Sequence, residues 1–512
     1  MGFFKSNTSR NIKACTVSII LLNYNCACTS YVLYLISRVV SVDTQGYTMC
    51  TLSLMLGLLF GQILFGVFGD TLGRKRSFLG SSLTMLVGSV LSIFSGFTFT
   101  ANGTLVEFSI FRFILGVGAG GLFPLVAAIT RESSQEEIAN ANIAQVFGPF
   151  GSIGLVFAPL MVFLLTGVNV GDDWKWRIVL AIGAVPAALL LFMDVEETMA
   201  PQPQQQQQQH ALIQNNAPDP LSGGCAKLPV SLELFLNELS VVFSSPSMRS
   251  YMISTSLSWF FSDILHYGNV VMQVKFFDEL LHQDQYDDDY NFSLAAMALL
   301  GVGSATCFWI GGLSSVLALR RISALALQLH GFALSACAFF LVTISKVLLP
   351  SGWWPVTIML YATTYVFNGL GPAPTTFLIP SFLFPASIRS TANGIAAAVG
   401  KIGSIVGILV ASYVGLEISN LMACFGAVAL MGMGSTLVTI QTHFHSARGF
   451  GQHPSPSKLH RRRSNKSGSY QSTSAIEDGD DGEGGLSGDG VDEEERISLF
   501  GSLPGDGDDE RK

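Results

Sequence analysis

The sequence predicts an all-α membrane protein with twelve transmembrane helices in two six-helix bundles. Three features predict it. Of the 512 residues, 49% are hydrophobic and only 12% charged, where a soluble domain carries about a quarter. Twelve apolar runs are long enough to cross a hydrocarbon core that takes about 20 helical residues. A polar low-complexity stretch then divides those runs six and six, as in a chain of two related halves.

The first run starts near Ala14 and extends to Val40. That is too long for the apolar core of a cleavable leader, so it reads as the first span. The first set of runs lies near 15–39, 48–69, 78–99, 107–130, 139–166 and 177–194. The second lies near 249–274, 292–317, 323–347, 354–381, 391–415 and 419–440. The expected organisation is a short leading segment (1–14), a first bundle (15–194), a Gln-rich linker (195–248), a second bundle (249–440) and an acidic tail (441–512). The linker contains PQPQQQQQQH and NNAPDPLSGG, which lack apolar periodicity and read as flexible chain. In the tail, 14 of the 36 acidic residues lie between Glu477 and Glu510. Such a composition cannot bury enough apolar surface to fold.

Orientation follows from the bases. Arg74, Lys75 and Arg76 follow the second run, Arg131 the fourth, Arg320 and Arg321 the eighth, Arg389 the tenth, and Lys458, Arg461, Arg462 and Arg463 the twelfth. All fall on one side, expected to be cytoplasmic along with both termini and the linker. The other side carries Asp43, Glu107, the acidic run from Asp284 to Asp289, and the sequons at Asn102 and Asn291. The cysteines Cys15, Cys26, Cys28, Cys50, Cys307, Cys337 and Cys424 lie in or beside apolar runs, make no CxxC pair and read as small hydrophobes.

Two segments carry motifs. After the second run the chain reads GVFGDTLGRK. Gly66 allows close helix approach, Gly73 a tight turn, and Asp70 at a helix end can bind a base or a neighbouring helix N-terminus. Arg74 and Lys75 complete the set, which reads as a conformational switch. The matching loop of the second half, ALRRIS, keeps Arg320 and Arg321 but has no Asp. The fourth run carries FRFILGVGAGG, in which Gly116, Gly118 and Gly120 permit close packing. Arg112 stands within it, at an insertion cost of about 2.5–3.5 kcal/mol, and a role in gating or coupling is expected.

The pattern GxxxDxxGRK, with the six-plus-six layout, resembles the major facilitator superfamily and implies its fold. Within it the chain resembles the phosphate:proton symporters of fungi and plants. The stretches that carry the likeness are FRFILGVGAGGLFPLVAAITRE, DWKWRIVLAIGAVPA, STSLSWFFSDILHYGN and GPAPTTFLIPSFLFPASIRSTANGIAAAVGKIGSIVG, spread over most of residues 55–415. The resemblance implies a phosphate site at Trp259, Asp263 and Tyr267, which share one helix face, with the ammonium of Lys401 holding the anion. It also exposes departures. Polar positions of the family fall on Leu122, Phe123, Phe150, Ala373 and Phe382, and its acidic motif in the first span becomes Thr29, Ser30, Tyr31 and Val32. Each unpaired phosphate oxygen costs about 1–3 kcal/mol, which argues against a high-affinity site of the family's usual design.

Phe123 and Phe150 with Trp259 and Tyr267 would line an aromatic pocket holding one carboxylate and one ammonium. That chemistry also suits an organic ion or zwitterion. Asp263 is the first candidate for proton coupling. His266, beside Tyr267 and three residues after Asp263, is the second, because imidazole titrates near neutrality.

The expected function is secondary active transport, of inorganic phosphate with proton symport by resemblance, of an organic ion by residue chemistry. A nutrient sensor that binds without transporting is the reading from another class. No nucleotide loop, metal-ligand spacing or nucleophile arrangement suggests an enzyme, a cofactor or a metal. Nor is a nucleic-acid partner expected. A monomer in the plasma membrane, rather than an internal one, is the expected setting.

Overall fold

Helices occupy all twelve predicted positions. The computed structural model describes residues 8–40, 42, 44–96, 100–193, 195, 235–237, 239–240, 244–281 and 294–451. Asp43, the polyglutamine stretch, the run from Asp284 to Asp289, Asn291 and the acidic tail lie outside the described residues.

In the first half, α1 (Thr8–Ser37), α2 (Thr44–Thr71), α3 (Arg74–Ile93) and α4 (Ala101–Glu132) are followed by α5 (Glu136–Gln145). A π-helical turn (Val146–Phe150) joins α5 to α6 (Gly151–Thr166), and α7 (Asp172–Leu190) ends the half. In the second half come α8 (Pro246–Leu281), α9 (Leu294–Ala318), α10 (Ala324–Leu348), α11 (Trp354–Leu370), α12 (Pro372–Leu383), α13 (Arg389–Tyr413) and α14 (Ile418–Gly451).

Among the described residues nine helical stretches are long and apolar enough to cross a membrane. The other three predicted spans depart for visible reasons. Helix α7 opens with Asp172, Asp173, Lys175 and Arg177, and α8 is rich in serine besides carrying Asp263. The tenth span is broken at Gly371–Pro372, since proline has no N–H to continue the ladder. The basic loop also differs from expectation. Arg74 is the first residue of α3, after Gly73 at φ 100°, so the bases sit on helix rather than on free loop.

Lipid offers little apolar driving force between helices, so packing depends on close backbone approach. The glycines provide it, and they do so twice. An added Cβ on Gly116 of α4 would lie 3.0 Å from the Cα of Gly57 on α2. In the second half, one on Gly311 of α9 would lie 3.0 Å from the carbonyl carbon of Gly369 on α11. Gly154 of α6 meets Tyr24 of α1 as Gly403 and Gly407 of α13 meet Phe260 and Ile264 of α8. The repeated crossings are the structural counterpart of the six-plus-six pattern.

One core centres on Tyr24, Phe108 and Trp176 of the first half and takes in Leu294 and Ala298 of α9; another centres on Phe276, Phe332, Phe339 and Phe425 of the second half. A third cluster bridges the halves, joining Leu122, Phe123 and Phe147 to Leu378, Ile379 and Ile408. That bridge is where the candidate site lies.

A Cβ on Gly118 would stand 2.6 Å from the Cα of Met85 on α3. Gly118→Val should therefore force α3 and α4 apart at about 1–3 kcal/mol. The expected result is a lower thermal unfolding midpoint in detergent; an unchanged midpoint would contradict this packing.

Candidate functional site

Two polar clusters lie where the halves meet. The first is at the end of the bundle where α2 finishes, α3 starts, α4 finishes and α13 starts. Asp70 Oδ1 accepts from the backbone N–H of Ser390 at 3.2 Å, and Oδ2 from that of Thr391 at 2.6 Å. These N–H groups open α13, and a helix N-terminus favours a carboxylate. Arg74 pairs with Asp70. It also grips Glu132 with two nitrogens, Nη2 to Oε1 at 2.9 Å and Nε to Oε2 at 3.2 Å. Across the seam Arg74 donates to Ser390 Oγ and to the carbonyl of Ala386, both at 2.9 Å. Arg389 Nη1 donates to the same Glu132 Oε1 at 3.1 Å. A Cβ on Gly66 would come 2.9 Å from the Ser390 carbonyl oxygen.

Gly66, Asp70, Gly73 and Arg74 are thus brought together as a two-bundle latch, with Lys75 half-buried one position on. The motif did not reveal Glu132, Arg389, Ser390 or Thr391. The available signal was the final glutamate of the stretch ending AAITRE and the arginine opening the next-to-last span. Arg112 lies elsewhere. It is fully buried within the first half, where Nη1 donates to the Asn25 carbonyl at 3.1 Å and the guanidinium lies 4.9 Å from the Phe108 ring centroid.

The second cluster lies deeper. Lys401 is twelve residues into α13, about 18 Å from the latch at 1.5 Å per residue. Its Nζ donates to Asp263 Oδ2 at 2.7 Å and to Tyr267 Oη at 3.2 Å. Ser404 Oγ donates to the same Asp263 oxygen at 2.9 Å. The ammonium also lies 4.6 Å from the ring centroid of Tyr267 and 5.8 Å from that of Phe123, which comes from the other half. Asp263 and Lys401 are 7% and 4% exposed, so the pair points inward rather than to lipid.

An aromatic plug fills the space between the two clusters. Phe377 of α12 stacks on Phe147 with centroids 3.9 Å apart and planes at 10°, lies 5.3 Å from Phe123, and meets Trp259 edge-on at 4.5 Å. Asn393 Nδ2 donates to the Phe377 carbonyl at 3.2 Å and fixes that turn.

Trp259 and Phe123 are therefore wall residues, but Phe150 is not one of these rings. It is 36% exposed, and the π-helical turn presents Phe147 in its place, a residue sequence reasoning missed together with Phe377. One extra residue per turn rotates every side chain that follows, which no apolar pattern reveals. The His266 ring lies 5.1 Å from those of both Tyr267 and Phe308.

Chemically, the deep cluster holds one positive and one negative group, with the positive one over the rings of Tyr267 and Phe123. A buried pair broken on one side costs about 3–5 kcal/mol, so any ligand must replace the interaction it displaces. By the same reasoning Glu132→Gln, which takes a shared counter-charge from buried Arg74 and half-buried Arg389, should loosen the latch. A cysteine introduced at Ala386 should then react at least tenfold faster with a membrane-impermeant thiol reagent supplied from that side. Equal rates would show that the latch does not hold the seam.

Comparison with known proteins bears on the family and the fold. The sequence model of the Major Facilitator Superfamily matches residues 14–408. The chain is 28% identical to "Probable inorganic phosphate transporter 1-9" of Arabidopsis thaliana over 437 residues, covering 75% of this chain and 79% of that protein. It is 30% identical to "Putative inorganic phosphate transporter 1-13" of Oryza sativa subsp. japonica over 380 residues, covering 69% and 72%. Among solved structures, the xylose transporter XylE from E. coli in a partially occluded inward-open conformation superposes with a TM-score of 0.59 at 16% identity, over 85% of this chain and 97% of that one. XylE bound to 6-bromo-6-deoxy-D-glucose gives 0.61 at 16% identity, over 85% and 95%.

Proposed function

We propose that this chain, which belongs to the Major Facilitator Superfamily, carries inorganic phosphate across a membrane in symport with protons. Relatives named as inorganic phosphate transporters support the cargo. The observation that carries the mechanism is the buried Lys401–Asp263 pair at the seam between the bundles.

The pair is neutral while both groups are charged. A phosphate monoanion that approaches Lys401 meets the Asp263 carboxylate as well. Once Asp263 takes a proton, its hold on Lys401 weakens and the ammonium can turn to the anion. Proton and anion then enter together with no net charge left in the low-dielectric chamber, where an unpaired charge is costly. Trp259, Tyr267 and Phe123 position the ammonium and shield the pair from water.

The plug of Phe377, Phe147, Phe123 and Trp259 is the inner barrier, and the Asp70–Arg74–Glu132–Arg389 latch closes the end beyond it. Opening toward that end requires both to part, as the bundles rock about the midplane. Arg112 braces the first half, and His266 is secondary to Asp263 in coupling. The Arg-rich end faces the cytoplasm, the protein acts as a monomer, and the plasma membrane is its site of action.

Fewer donors surround the anion than in the family pattern, because Phe123 and Ala373 supply none. Weak, saturable uptake is expected. In proteoliposomes of the full chain, an inwardly directed proton gradient should accelerate phosphate entry. Lys401→Met should abolish that entry while the protein still reconstitutes. Tight saturation at low micromolar phosphate would overturn this account of the pocket, and binding without flux would favour the sensor.

A further inference from the structure

Lys401 is held in a manner that goes beyond an ordinary ion pair. Its ammonium has a carboxylate oxygen at 2.7 Å, a phenol oxygen at 3.2 Å and two ring faces at 4.6 and 5.8 Å. A carboxylate with aromatic faces around it is the chemistry that recognises an ammonium ligand. In this conformation the protein's own lysine occupies that receptor.

Asp263 is also only half used. Lys401 and Ser404 both donate to Oδ2. Oδ1 accepts no hydrogen bond among the described residues, and the side chain keeps 11% exposure. A second ammonium can therefore reach the carboxylate through Oδ1.

We propose that the chamber accepts zwitterionic phosphate monoesters that carry a primary ammonium on a short spacer. The cargo ammonium takes Asp263 Oδ1 and the adjoining ring faces, and the cargo phosphate takes the ammonium of Lys401. Two ion pairs then stand where one stood, and Asp263 stays charged. The spacer must be short because Asp263 and Lys401 are in direct contact. This inference rests on the reading of Lys401 as the ligand of an anion, and it adds a second charge to be recognised. The lost phosphate ligands at Phe123 and Ala373 fit the same picture: an apolar wall is compatible with an ester carbon and unsuited to a fourth bare oxygen.

The test compares 2-aminoethyl phosphate with propyl phosphate, which has the same shape and lacks the charge on its terminal atom. Both are titrated against the purified full chain by calorimetry, and both are tested as inhibitors of radiolabelled phosphate uptake in proteoliposomes. The amine ester should bind at least tenfold more tightly. Asp263→Asn should bring the ratio of the two affinities close to one, and Phe123→Leu should lower it severalfold. Equal or tighter binding of propyl phosphate to the unmodified protein overturns the proposal, whatever the variants do. Phosphate uptake with no preference for the amine ester leaves the phosphate reading intact and removes only this one. Amine-ester binding with no phosphate uptake does the reverse. Failure of both esters to bind rejects the cargo assignment of this chamber.

Discussion

A charge inside a low-dielectric bundle must have a partner, and at the latch the partners come from both halves. Asp70 and Arg74 of the first half are satisfied by the start of α13. Removing one member of such a set leaves a buried charge short of part of its pairing, which is costly. The arrangement is therefore held by groups that are satisfied together, and a set of that kind favours discrete states over a continuum. A transporter needs that property: its two ends must not be half open together.

The two halves repeat their glycine crossings and differ in their charges. After α9 the chain reads ALRRIS, which keeps two arginines but has no aspartate to match Asp70. The equivalent crossing there is apolar and close: a Cβ on Gly148 would lie 3.4 Å from the Cα of Gly312. Contact between backbones is short-ranged and forgiving of sliding, whereas a bidentate arginine and a capped helix terminus fix one register. The seam thus has a locked flank and a sliding flank, and Pro149 in the π-helical turn places the irregular backbone on the sliding one.

Between chamber and latch the barrier is aromatic. Stacked rings exclude water over a large area and separate without leaving unpaired polar groups. A barrier of hydrogen-bonded groups in the same place would have to exchange its partners at every cycle. Phe377 joins three rings from three other elements, so it is the hub of that barrier.

The sequence alone determined the number of spans, the division into halves, the glycines that let helices meet and the identity of the groups that carry charge. Each of these follows from local chemistry: apolar length, backbone access and the cost of an ion in lipid. Even Trp259, Asp263 and Tyr267 could be placed on one face, since helical periodicity fixes it. What the tertiary structure decided is which charge answers which. Asp70 caps a helix more than 300 residues away in the chain. Glu132 serves two arginines that looked like isolated bases. Phe147, not Phe150, joins the plug, because a π-helical turn shifts the register there. Pairing across the seam depends on how two bundles settle against each other, and no periodicity within one helix records that.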